Sequence, residues 1–163
     1  MTSNPFTGSH AAAYAEGPPR KVPGFADLHK MMSQLLAERV PVDGRLLVLG
    51  AGGGLELKAL ADDHAGWIFD GIDPSADMLK TAEVIAAAHL GRIALREGYI
   101  EDAPDGPFDG ATCILTFHFI ALEQRLEPGQ LVEQVLWCAE HHGGRLELQR
   151  QFAGVADDHR LGA

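Results

Sequence analysis

The sequence predicts an α/β fold, a doubly wound sheet of parallel strands, and three observations carry that prediction. The apolar run Leu46-Leu47-Val48-Leu49 enters a dense turn, Gly50-Ala51-Gly52-Gly53-Gly54, and a helix-forming stretch begins at Leu55. A second strand, Trp67 to Asp73, ends in an acid about twenty residues beyond that turn, the spacing doubly wound folds use for a ribose-binding carboxylate. A third run, Phe108 to Thr116, is nearly continuous in apolar residues, as expected of a strand covered on both faces of a parallel sheet.

The rest of the chain fits around these. Residues 1–18 are rich in small and polar residues and end in Gly17-Pro18-Pro19, so they read as a flexible N-terminal segment in which Tyr14 is the one aromatic suited to folding over a ligand. Arg20-Lys21-Val22-Pro23-Gly24-Phe25 reads as a turn. Phe25, Leu28, Met31, Met32, Leu35 and Leu36 recur at helical steps and predict one apolar helix face, ended by Pro41. Leu57, Leu60 and Ala61 continue an apolar face on the helix after the glycine turn, which Gly66 closes. Pro74-Ser75 opens the next helix, with Asp77 in its first turn and Met78, Leu79, Ala82, Ile85 and Ala86 on its apolar side. Ile93-Ala94-Leu95 is a short third strand. Residues 130–142 read as helix, and Arg145 to Phe152 alternates like a fifth strand. The domain is expected over residues 19–153, with a loose tail over 154–163.

Composition narrows the function. The chain has 163 residues, 46% apolar and 22% charged, which suits one soluble globular domain. A formal net charge of −10 argues against broad nucleic-acid binding, leaving Arg20 and Lys21 as a local basic pair. No apolar run reaches the length of a membrane span and no leader pattern opens the chain, so the cytoplasm is the default address. Cys113 and Cys138 suit neither a disulfide framework nor a zinc site, and the adjacent His141 and His142 diverge on a helix; no metal is expected.

The glycine spacing selects among ligands. Gly50, Gly52 and Gly54 give G-x-G-x-G, with Leu55 where a dinucleotide fingerprint needs its third glycine, and no Gly-Lys-Ser/Thr follows to make a phosphate loop. The spacing thus argues against NAD or FAD and excludes a phosphate loop, and the turn reads as a nucleotide or nucleoside site. Asp73 has two readings, a ribose ligand and a plain helix cap, and the spacing favours the first.

These motifs resemble the class I S-adenosylmethionine-dependent methyltransferases. The resemblance rests on Val48-Leu49-Gly50-Ala51-Gly52-Gly53-Gly54, on Gly71-Ile72-Asp73-Pro74-Ser75-Ala76-Asp77-Met78-Leu79 and on Phe108-Asp109-Gly110-Ala111, and it covers residues 14–122. Arg20 to Phe25 is also similar to the lead-in segment of the subgroup holding the tRNA wobble-uridine carboxymethylation enzymes. The resemblance implies a Rossmann-like sheet ordered 3-2-1-4-5 with helices on both faces and S-adenosylmethionine as cofactor. It implies that Gly50, Ala51, Gly52 and Gly54 pass the methionine part and that Asp73 and Pro74 lie at the ribose. It places Met78 near the adenine, Tyr99, Ile100 and Glu101 along the adenine edge, and Thr116 and His118 beside the sulfonium and the methyl acceptor, a small molecule or an RNA. His118, following the fourth strand between two phenylalanines, is the candidate general base, or else a packed scaffold group.

Three departures from the family accompany this. Val48 stands where an acid often helps hold the methionine amino group, Tyr99 stands where an adenine-facing Asp is common, and the usual closing strand hairpin is missing or abbreviated. A fifth strand without that cover leaves an edge suited to pairing with a second copy of the chain. A non-catalytic protein that binds S-adenosylmethionine or S-adenosylhomocysteine is the alternative function, and a dinucleotide oxidoreductase the third.

Overall fold

The structure, a computed structural model, describes residues 14–116. Within them four parallel strands, β1 (Arg45–Leu49), β2 (Ile68–Asp73), β3 (Ile93–Glu97) and β4 (Gly110–Thr112), form one sheet in the order β3-β2-β1-β4. That order is the first part of the expected doubly wound arrangement. The fifth strand, the helix before it and the edge expected to pair with a second copy lie outside the described residues.

Burial on both faces explains the apolar runs. Along β1, Leu46 and Val48 enter one cluster with Leu57, Leu60, Trp67 and Phe69, whereas Leu47 and Leu49 enter another with Ile72, Ala103 and Phe108. Side chains alternate across a strand, so a strand covered twice has no polar side to show. The first cluster is closed by the helices α2 (Phe25–Ala37) and α3 (Leu55–Asp63), preceded by the short α1 (Gly17–Lys21), and by Ala86 at the end of α4 (Ala76–Ile85). Among the described residues the second cluster is closed by the connection from β3 to β4.

Several local expectations are revised. Tyr14–Glu16 forms a 3-10 turn running into α1 where loose chain and a turn were expected; Pro18 suits a helix start, where its missing N–H costs nothing. The buried residues of α2 are His29, Met32 and Ser33, while Met31 and Leu35 are 55% and 65% exposed. The polar pair can be buried because it has partners. Ser33 donates to Asp63 Oδ2 at 2.7 Å and lies 2.9 Å from His64 Nε2, and His29 meets the Phe25 ring edge-on. The fourth strand is shorter than its apolar run, Gly110–Thr112, and Cys113 to Thr116 leave the sheet at its carboxyl end.

The amino ends of the strands are locked by charge. Arg45 Nε donates to Asp70 Oδ2 at 2.7 Å, and its guanidinium lies 4.7 Å from the centre of the fully buried Phe108 ring. Asp109 Oδ2 accepts from the Arg45 backbone N–H at 2.9 Å, so the motif Phe108-Asp109-Gly110-Ala111 fastens β4 to β1 at the end away from the glycine turn. At the far side Arg92 gathers the end of α3. It donates to His64 O at 3.0 Å, Trp67 O at 2.7 Å and Ala61 O, beneath the Phe69 ring. Replacing Arg92 by Ala removes a donor from three carbonyls, of which His64 O keeps only the long bond from Trp67 N–H at 3.3 Å. Arg92→Ala should lower unfolding free energy by about 2 kcal/mol in urea titration, and Arg92→Lys should recover less than half of that, since one ammonium cannot span the same fork.

Candidate functional site

The carboxyl ends of the four strands meet at the glycine turn, and the turn is built by close approach. Gly50, Gly53 and Gly54 have φ of 75°, 80° and 68°, values that L side chains rarely adopt. A Cβ on Gly54 would lie 2.7 Å from Ala82 Cα, so only glycine lets α4 pack this tightly on the turn. A Cβ on Gly52 would fall 2.8 Å from Met78 Cβ and against the Asp73 carboxylate, and one on Gly50 would overlap Thr116.

The turn's amides are already used. Gly50 and Ala51 donate to Ile72 O at 2.8 and 3.0 Å, Gly52 to Asp73 Oδ2 at 2.9 Å, Gly53 to Met78 O at 3.1 Å and Gly54 to Ala51 O at 3.1 Å. A phosphate cradle needs such N–H groups pointing outward. Here the five amides of the turn itself are spent inside the fold, which argues physically against a pyrophosphate seated on them.

Asp73 holds two turns at once. Its Oδ1 accepts from Ser75 N–H at 2.8 Å, holding the turn into α4, where the Ser75 hydroxyl caps Met78 N–H at 3.3 Å. Its Oδ2 accepts from Gly52, tying the two crossovers together. Partial burial raises its pKa, and the two backbone donors work against that rise. Each oxygen keeps a further lone pair for hydroxyl donors.

Other expected residues fall at varied distances from the turn. Met78 is buried beneath it and Pro74 is exposed beside Asp73. Gly98 N–H donates to Asp73 O at 3.1 Å, which brings the following loop to the same crevice. In that loop Tyr99 is 66% exposed, Glu101 is exposed, and Ile100 packs on the second core cluster. Thr116 Oγ1 donates to Ile114 O at 3.1 Å and sits against Gly50. His118 lies outside the described residues. Among the described residues no cluster of three or more His, Cys, Asp or Glu is arranged for a metal, and no helix is long and apolar enough to cross a membrane.

Sequence reasoning singled out Tyr14 but missed the rest of the cleft wall. Tyr14, Phe25, His29, Glu56, Ile114 and Leu115 line a cleft along Gly50-Ala51-Gly52. Tyr14 packs on Gly53, and burial, then the nearby Asp73 and Glu56 charges, push its phenol pKa up. Glu56, in the first turn of α3, is 9% exposed, and its Oε1 has no hydrogen-bond partner among the described residues. Burial pushes its pKa up to about 7, with the neighbouring Thr112 hydroxyl opposing the rise although it makes no hydrogen bond of good geometry there. Its place two residues past the glycines was a signal, but an acid in a helix's first turn ordinarily needs no further explanation.

A doubly wound sheet with a donor-poor glycine turn, and an acid at the end of the second strand, defines a nucleoside-binding domain. The methyltransferase-domain family matches residues 47–144, more than half of the chain, and the chain belongs to that family. The resemblance read from its motifs is borne out. The chain is similar to a carboxy-S-adenosyl-L-methionine synthase of Campylobacter fetus, 25% identical over 130 residues covering 80% of this chain and 54% of that protein. It thus spans about half the length of the curated relative it matches. Among solved structures, a Methanococcus maripaludis protein classed with the S-adenosyl-L-methionine-dependent methyltransferases superposes with a TM-score of 0.58 at 20% identity, covering 78% of this chain and 59% of that one. YjhP of E. coli superposes with a TM-score of 0.51 at 25% identity, covering 67% and 42%.

Glu56 makes the stability of the unliganded chain depend on pH. Its pKa is higher folded than unfolded, so the folded state holds the proton more tightly. Stability from this group is greatest in acid, falls as pH rises from about 4.5 to about 7, and then levels. The full effect is at most about 3 kcal/mol. Gln imitates the protonated acid. Glu56→Gln should be more stable than the parent by about 1–3 kcal/mol at pH 8 and within about 1 kcal/mol at pH 5, in urea unfolding followed by tryptophan fluorescence.

Proposed function

We propose that this chain binds S-adenosylmethionine and transfers its methyl group to an acceptor, and that the acceptor is a small molecule rather than a nucleic acid. The observation that carries the cofactor is the chemistry of the crevice. Five loop amides are turned inward while Asp73 and Glu56 flank the glycine turn, so the site favours a phosphate-free, positively charged nucleoside. S-adenosylmethionine has that character. The glycine backbone, which any Cβ would block, and the donor set suit it.

When bound, the cofactor supplies an electrophilic methyl group on its sulfonium, so the protein needs no covalent nucleophile. Asp73 would accept the ribose hydroxyls on the lone pairs its backbone donors leave. Gly50 to Gly52 would pass the chain of atoms beyond the ribose, and Met78 would pack on the base. Phe25, Ile114 and Leu115 give the cleft apolar walls that keep water from the reacting centre. For the acceptor, the net charge of −10 supports a small molecule, because a nucleic-acid acceptor would be repelled. His118 remains the proposed base for an acceptor that must lose a proton.

Calorimetric titration tests the cofactor. S-adenosylmethionine and S-adenosylhomocysteine should each bind saturably at one site, and NADH should not. Asp73→Ala removes the ribose contact and unties Gly52 from Ser75, so it should weaken both ligands at least about tenfold. No binding by the parent chain would overturn the reading. NADH binding in its place would restore the oxidoreductase.

A further inference from the structure

We infer that Glu56 is the residue that receives the primary ammonium of the ligand's aminoacyl arm, forming a buried ion pair beneath the glycine turn. This rests on the nucleoside reading above and names the contact at its other end. The cleft runs along Gly50-Ala51-Gly52 and is lined by Glu56, while Asp73 is bonded to Gly52 at its edge. A nucleoside whose ribose sits at Asp73 therefore sends its remaining arm over the glycines toward Glu56.

The carboxyl there is prepared for a cation and lacks one. It is nine-tenths buried, and among the described residues its Oε1 is unpartnered and no Lys or Arg lines the cleft. A buried polar atom left in this state costs about 1–3 kcal/mol, a cost the fold would shed by burying an apolar side chain instead. The neighbouring positions cannot do the same work. Val48, at the end of β1, is wholly buried in the apolar core, and Thr112 offers only a hydroxyl. His29 lines the cleft, but burial lowers its pKa and keeps it uncharged at neutral pH. A ligand ammonium provides the donors that Oε1 lacks and a charge that holds the carboxylate ionised.

The pairing has a proton signature. Glu56 is largely protonated in the empty cleft below about pH 7, so an arriving ammonium must displace that proton into solution. The other titratable groups around it are Tyr14 from the N-terminal turn, His29 from α2 and Cys113 beyond β4. Tyr14 and Cys113 are raised, Cys113 to about 11, so both stay neutral between pH 6 and 8, as does His29 through most of that range.

The test compares S-adenosylhomocysteine with 5′-methylthioadenosine, which keeps the nucleoside and thioether but has no aminoacyl arm. At pH 8, Glu56→Gln should lose at least about tenfold in affinity for S-adenosylhomocysteine and change by less than about threefold toward methylthioadenosine. In the parent chain, binding of S-adenosylhomocysteine at pH 6 should release a proton, seen as an enthalpy that varies with the ionisation enthalpy of the buffer; methylthioadenosine should release none. Equal losses for both ligands would show that Glu56 only shapes the cleft, and unchanged affinities would show that the arm lies elsewhere; either overturns the inference while leaving the nucleoside site standing. A parent chain that binds neither ligand would overturn both. The proton count uses the unaltered chain, so it decides the matter even where Glu56→Gln fails to fold.

Discussion

Asp73 commits both carboxylate oxygens to backbone N–H groups, one on Gly52 in the crossover that leaves β1 and one on Ser75 in the crossover that leaves β2. Everything at the carboxyl ends of the strands depends on that bridge. It sets the height of the glycine turn over the sheet and the direction in which α4 departs. It also brings Met78 under Gly53, whose N–H bonds the Met78 carbonyl. The glycines are the other half of the same constraint, because a Cβ on Gly52 would displace the carboxylate that holds it and one on Gly54 would lift α4 away. Charged hydrogen bonds of this kind are about twice as strong as neutral ones, and neither partner can be exchanged without orphaning the other.

The two ends of the sheet divide the labour. At the amino ends Arg45, Asp70 and Asp109 pair with one another or with backbone around the Phe108 ring. At the carboxyl ends one carboxyl is half used and another, on Glu56, has its Oε1 unpartnered among the described residues. A fold that satisfies its polar groups at one end and leaves an acid buried without a partner at the other is placing its strain where binding can relieve it.

The parts legible in the sequence were those with a fixed local grammar. The glycine turn, Asp73 at its spacing, and the apolar strands each follow from a backbone rule, and they appear where expected except that the fourth strand is cut to Gly110–Thr112. The face of α2 was misjudged because periodicity counts apolar residues, whereas Ser33 is buried through Asp63 and His64 across the helix pair and His29 against the Phe25 ring one turn away on the same helix. The cleft wall was missed for a related reason. Tyr14, His29 and Glu56 come from three separate segments, and only the tertiary fold brings them to one place. Glu56 in particular looks like an ordinary dipole-compensating acid until its burial is known.

The electrostatics of the crevice then make one argument out of turn and wall. Donor-rich glycine loops attract anions, and this loop has folded its donors inward onto Ile72, Asp73, Met78 and Ala51. What remains facing the cleft is backbone, aromatic and aliphatic surface, and a carboxyl whose ionisation burial resists. A cationic ligand lowers the cost of ionising that carboxyl, whereas an anionic one would raise it. Burial favours the neutral form of Glu56 and a neighbouring cation would favour its charged form, so this acid ties the charge tolerated beside the glycine turn to its own proton.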